Sequence, residues 1–125
     1  MSRAIVGLDH VQVAAPPGSE DEARRFYGVA LGLEELAKPP VLAARGGVWF
    51  RAGAHELHVG IADEFTPATK AHPAFRVASV VELERLAAAL AVHGTDVAWA
   101  DAAEIPGTTR FFCHDPWGNR LELIA

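Results

Sequence analysis

Apolar and polar residues alternate with a period of two around residues 10–13, 56–61, 72–77 and 120–123, and the stretches 5–14, 48–51, 55–61, 72–77, 96–100, 109–114 and 120–124 each read as a β-strand. A further short strand is expected at residues 34–36. Two stretches carry a helical period instead. The first opens at Ser19-Glu20-Asp21-Glu22 and runs to about Ala30, and the second opens at Ser79-Val80-Val81-Glu82 and runs to His93. Both openings have the form of a capping box, in which the serine hydroxyl accepts from an early helix amide and the glutamate reaches back. Leu83, Leu86, Ala87 and Leu90 give the second helix one apolar stripe. Gly32 and Gly94 fit the left-handed position that ends each helix. Residues 38–40, Lys38-Pro39-Pro40, read as a loop, and Asp115-Pro116-Trp117-Gly118-Asn119 as a tight turn. Each half is therefore strand, helix, then three strands.

The two halves are offset copies. His10 and His72 lie 62 positions apart, Ser19 and Ser79 lie 60 apart, and Glu56 and Glu122 lie 66 apart. The order predicts an α+β chain of two β-α-β-β-β modules, residues 1–65 and 66–125, forming a single domain with a linker around residues 63–71. Strand alternation puts Leu8, His10 and Gln12 on one face and Val11 and Val13 on the other. In the same way Glu56 and His58 oppose Leu57, Val59 and Ile61. His72 and Arg76 oppose Phe75 and Val77, and Arg120 and Glu122 oppose Leu121 and Leu123. Two such sheets folded toward each other would enclose a cleft lined by His10, Gln12, Glu56, His58, His72, Arg76 and Glu122. Two imidazoles and two carboxylates at mirrored positions form a donor set suited to a divalent metal. Read alone, each is an ordinary residue on the wet face of an antiparallel sheet.

Composition narrows the function. A chain of 125 residues holds one core, and with 22% charged residues it is ordinary for a globular protein. The net charge of −5 argues against nucleic-acid and anionic-membrane partners. No apolar run reaches membrane-spanning length, and the N-terminus lacks a signal-peptide pattern. The lone Cys113 cannot form an internal disulfide, so a cytoplasmic location is expected, and its apolar neighbours make it a core thiol rather than a nucleophile.

The segments Leu8-Asp9-His10-Val11, Phe26-Tyr27-Gly28-Val29-Ala30-Leu31-Gly32-Leu33, His72-Pro73-Ala74-Phe75-Arg76-Val77 and Phe112-Cys113-His114-Asp115-Pro116-Trp117-Gly118-Asn119-Arg120-Leu121-Glu122-Leu123 resemble the vicinal oxygen chelate superfamily. That group contains glyoxalase I, bleomycin-resistance proteins, fosfomycin-resistance enzymes and extradiol dioxygenases. The resemblance covers nearly the whole chain and implies a U-shaped, mixed-sheet cleft of the glyoxalase-like fold. Glyoxalase-like members take metal ligands from the first and last strand of each module, which maps onto His10, Glu56, His72 and Glu122. Fosfomycin-resistance and dioxygenase-like members use three, mapping onto His10, His72 and Glu122. The implied cofactor is one divalent ion among zinc, nickel, cobalt, manganese and iron, except in members that keep the fold and bind no metal. The implied assembly is a homodimer.

Three functions follow as expectations. The first is a metal-dependent, lyase- or isomerase-like enzyme acting on a small oxygenated molecule, with Glu122, or Glu56 by symmetry, as general base. The second is a metal-free binding protein of the bleomycin-resistance kind, its groove lined by Trp49 and Phe112. The third is a small ring-cleaving dioxygenase. No obvious cluster of arginines for glutathione's carboxylates stands out along the chain.

Overall fold

The structure, a computed structural model, describes residues 3–125. Its first half contains β1 (His10–Ala15), α1 (Glu20–Ala23) continued by a wider π-helical segment (Arg24–Ala30), β2 (Glu34–Leu36), α2 (Pro40–Ala43), β3 (Val48–Ala52) and β4 (His55–Ile61). The second half contains β5 (Ala74–Arg76), α3 (Val80–Val92), β6 (Ala98–Trp99), β7 (Arg110–His114) and β8 (Arg120–Ile124). The strands form two four-stranded sheets with the same connectivity, β1-β4-β3-β2 and β5-β8-β7-β6. In each, the first strand runs parallel to the last and the other pairs are antiparallel. The α+β fold with its internal repeat is the one the sequence pattern predicts.

Four local expectations are corrected. The first strand begins at His10 rather than residue 5, because its partner β4 begins at His55 and His10 lies opposite Glu56. Residues 5–8 have no strand to pair with, and Ile5, Val6 and Leu8 are left exposed. The fifth strand shrinks to Ala74–Arg76, since Pro73 has no N–H to extend the ladder and instead accepts from the Glu122 amide at 3.0 Å. The Lys38-Pro39-Pro40 loop leads directly into α2, with Pro40 at its first position, where a missing N–H costs nothing. The Ser19 capping box does not form: the hydroxyl donates back to the Pro16 carbonyl at 2.5 Å. Its counterpart forms by half: extended Ser79 accepts from the Glu82 amide at 3.2 Å, while the Glu82 carboxylate accepts from Arg85 at 2.7 Å instead of reaching back to the cap.

The apolar faces of both sheets share one core with the helices. Leu57, Val59 and Phe50 from the first sheet join Phe111, Leu121 and Leu123 from the second, with Tyr27, Leu83 and Leu90 between the elements. A buried polar hub also ties the halves. The Asp115 carboxylate accepts from Tyr27 Oη at 2.8 Å, from the Trp117 and Asn119 amides at 3.1 and 2.9 Å, and from Asn119 Nδ2 at 2.8 Å. Asn119 in turn donates to the Ala14 carbonyl and accepts from the Ala68 amide, so β1, the linker and the β7–β8 turn meet at one amide side chain.

Candidate functional site

On the first sheet, His10 and Glu56 are register partners on β1 and β4, and Trp49 of β3 is the register partner of His58. Cross-strand neighbours on one face touch, and three rings stack there. Trp49 lies flat on His58, with centroids 4.0 Å apart and an interplanar angle of 4°, and His10 covers the other side of His58 at 4.2 Å and 15°. His58 is buried by this sandwich, and its Nε2 meets Glu56 Oε1 at 2.9 Å. His58, expected to line a pocket, is thus placed as an orienting partner of Glu56. His10 Nδ1 bonds Asp9 at 2.8 Å, and the His10 side chain stays 45% exposed. Gln12 folds across β4 over Gly60, where a Cβ would lie 2.7 Å from the Gln12 amide carbon. A side chain at position 60 would push the Gln12 amide aside.

On the second sheet, His72 Nε2 meets Glu122 Oε1 at 3.1 Å, with the Glu122 side chain 9% exposed. His72 Nδ1 contacts the Lys70 carbonyl at 2.9 Å, which fixes the ring. The repeat is imperfect at this point. Glu122 has Ala74, not His72, as its register partner on β5, so His72 reaches it from two residues upstream. Arg110 Nη1 approaches the same Oε1 at 3.4 Å, and its Nη2 bonds Glu104 at 2.7 Å. Phe112 is the β7 partner of Glu122, and both Arg110 and Arg120 place their guanidinium carbons over its ring, at 5.1 and 4.2 Å. Arg76 is exposed at the end of β5.

The structure therefore gathers the four sequence-flagged ligands as two pairs, one on each sheet. Among the described residues no three His, Cys, Asp or Glu side chains form a metal-binding group. The donor set of two imidazoles and two carboxylates still suits a borderline divalent ion, with each histidine beside a glutamate or its register partner. Arg110 and Arg120 meet over the Phe112 ring. They lie ten positions apart in sequence, and only the β7–β8 register brings them to one phenyl ring.

The family model described as the glyoxalase/bleomycin resistance protein/dioxygenase superfamily matches residues 7–123. A glyoxalase-family protein from Bacillus anthracis is 47% identical, with 99% of this chain and 98% of that one covered and a TM-score of 0.89. A lactoylglutathione lyase from Agrobacterium tumefaciens shares the fold at 20% identity, 98% and 95% coverage and a TM-score of 0.71. A fosfomycin resistance protein from Listeria monocytogenes does so at 17% identity, 97% and 93% coverage and a TM-score of 0.75. No curated protein matches the sequence. No helix among the described residues is long and apolar enough to cross a membrane. With the family model spanning nearly all of a chain whose two sheets repeat one connectivity, this protein belongs to the glyoxalase/bleomycin resistance protein/dioxygenase superfamily.

Proposed function

We propose that this protein is a metal-dependent, glyoxalase-like enzyme that removes a proton from, or adds to, a small oxygenated molecule. The observation that carries this reading is the part-buried His72–Glu122 pair on one sheet, matched by His10 and Glu56 in direct register on the other. A divalent ion held by His10, Glu56, His72 and Glu122 would supply Lewis acidity toward the substrate's oxygens. Glu122 is the general base. His72 and Arg110 both contact its Oε1, and among the described residues no hydrogen bond engages its Oε2, which is the oxygen left to take a proton. Glu56 is the symmetric alternative, oriented by His58. Gln12, Trp49, Arg76 and Phe112 line the faces on which the substrate rests.

The working unit is a homodimer in which His10 and Glu56 of one chain face His72 and Glu122 of a second. Support comes from the edge strands β1 and β5, each hydrogen-bonded on one side, and from Ile5, Val6 and Leu8, which are exposed beside β1. The reducing cytoplasm suits its lone buried thiol.

The metal-free binding reading rests on the Trp49–His58–His10 stack, which holds His10 against a ring rather than presenting it freely. One experiment decides between them. Zinc uptake is measured by calorimetry on untagged protein, then on His10→Ala, on Glu122→Gln, and on the two variants refolded together. The expected outcome is one zinc per chain in the wild type, little in either variant, and partial recovery in the mixture, because a mixed dimer regains one intact site. Wild-type protein that binds no zinc, nickel, cobalt, manganese or iron overturns the metal reading. Uptake that the mixture does not restore places the site within one chain.

A further inference from the structure

We infer that the β5–β8 sheet carries an oxyanion subsite built on Arg120 and Phe112, so that the substrate is a small carboxylate or phosphonate held by a guanidinium beside Glu122. This rests on reading the Glu122 face as the reactive one and adds the class of molecule it takes.

The strand register lays out that face in rows. Ala74, Glu122, Phe112 and Ala98 lie across one row, with Arg120 beside His114 on one side of it and Arg76, Ile124 and Arg110 on the other. Phe112 therefore receives guanidinium groups from opposite directions along the strands, Arg120 at 4.2 Å and Arg110 at 5.1 Å. A guanidinium spread over an aromatic face keeps its in-plane N–H groups free to bind, and their fork matches two oxygens of a carboxylate or phosphonate.

The two arginines are not equivalent. Arg110 already has carboxylate partners, Glu104 at 2.7 Å and Glu122 at 3.4 Å, and its side chain is 14% exposed. Arg120 makes no ion pair among the described residues, yet it is partly buried against the same ring. Two cations on one phenyl group with one of them unneutralised is an arrangement that a bound anion completes.

The charge balance sets the size of that ligand. The chain as a whole is at −5, so a polyanion such as nucleic acid is repelled while a single oxyanion can settle at a local cationic spot. The first sheet offers no equivalent, because its facing arginine, Arg51, is paired with Glu34 at 3.4 Å. The two halves of the repeat have thus diverged, one face carrying the aromatic stack and the other the guanidinium groups.

The test is a titration of the full chain, freed of metal with chelator, with acetate and separately with methylphosphonate, following arginine Nε–Hε resonances. The expected result is a saturable shift at Arg120, smaller at Arg110 and absent at Arg51, for at least one of the two anions, and the tighter one identifies the group. Arg120→Gln should weaken that binding about tenfold or more, and Arg120→Lys, which keeps charge but loses the fork and the stack, should fall between. Shifts that are linear rather than saturable, or unchanged affinity in Arg120→Gln, overturn the inference. So does full affinity in Arg120→Lys, a variant whose fold is checked by its amide spectrum. Because no metal is present, failure here leaves the zinc result standing. Oxyanion binding without zinc uptake would retain this subsite and remove the metal.

Discussion

At the scale of single residues, the burial of Cys113 and Tyr27 has a consequence at alkaline pH. Cys113 is 2% exposed, and burial, followed by the nearby Asp115 charge, pushes its thiol up from 9.0 to about 12. Tyr27 moves in the same direction, through burial first and then Asp115. The folded state keeps both groups neutral where the unfolded chain ionises them. The stability that Cys113 contributes is complete below about pH 9 and drains away as pH rises toward 12, with Tyr27 acting in the same direction. Urea midpoints should therefore fall steadily above pH 9, and Cys113→Ala should show a shallower fall. Ellman's reagent should label the native thiol far more slowly than the thiol in concentrated urea; equal rates would mean that the thiol is not enclosed. The sequence made this thiol legible through its apolar neighbours, and it also marked His10, Glu56, His72 and Glu122 through their mirrored places. It did not mark Arg110 and Arg120, because their meeting depends on a strand register that no local spacing encodes. Nor did it show His58 sandwiched between rings, which needs β1, β3 and β4 side by side.

At the scale of elements, the pattern sets some strand bounds and misses others, and the short edge strand β2 lies at the expected Glu34–Leu36. The bounds of β4 and β8, inner strands with alternating faces, agree with the alternation pattern, whereas β1 and β5 were read too long. β1 starts only where β4 gives it a partner and β5 only after Pro73, and an apolar run such as Ile5-Val6 says nothing of either. The helix starts divide for a related reason. Both serines carry the same local motif, but Ser79 adopts the extended backbone of a cap, φ −160° and ψ 167°, while Ser19 sits at φ −90° and ψ −2° after Pro16-Pro17-Gly18. In that conformation the Ser19 hydroxyl turns to the Pro16 carbonyl instead of the helix amides. Ser79→Ala should cost about 1 kcal/mol and Ser79→Gly only a few tenths, since glycine leaves the end amides open to water. At position 19 glycine should be no better than alanine. Denaturation curves of the four variants check the order, and a glycine advantage at position 19 would show that the serine caps after all.

At the scale of the whole molecule, the sequence told of two modules but not of what locks them together. Asp115 reads as a turn residue, and its part as the acceptor for donors from both halves emerges only when Tyr27, 88 positions away, comes within 2.8 Å. Oδ2 accepts from Tyr27 Oη and Asn119 Nδ2, while Oδ1 accepts from the Trp117 and Asn119 amides. Each oxygen thus faces two donors. An asparagine at this position, though the same size, must aim its own NH₂ group at one of those pairs and leave them without an acceptor. Asp115→Asn should therefore destabilise the protein by about 2–4 kcal/mol, more than substitution by an isosteric residue ordinarily would. Tyr27→Phe removes one donor and leaves the carboxylate with the others, which predicts a smaller loss of about 1–2 kcal/mol. The two changes should not add. In the Asp115→Asn background the tyrosine hydroxyl has already lost its acceptor or competes for one, so deleting it costs little or recovers stability. Urea denaturation of the two single variants and the double variant gives the coupling directly. Additive losses would mean that Tyr27 and Asp115 stabilise the fold separately, leaving the Asn119–Ala14 bond and the apolar core to join the two modules.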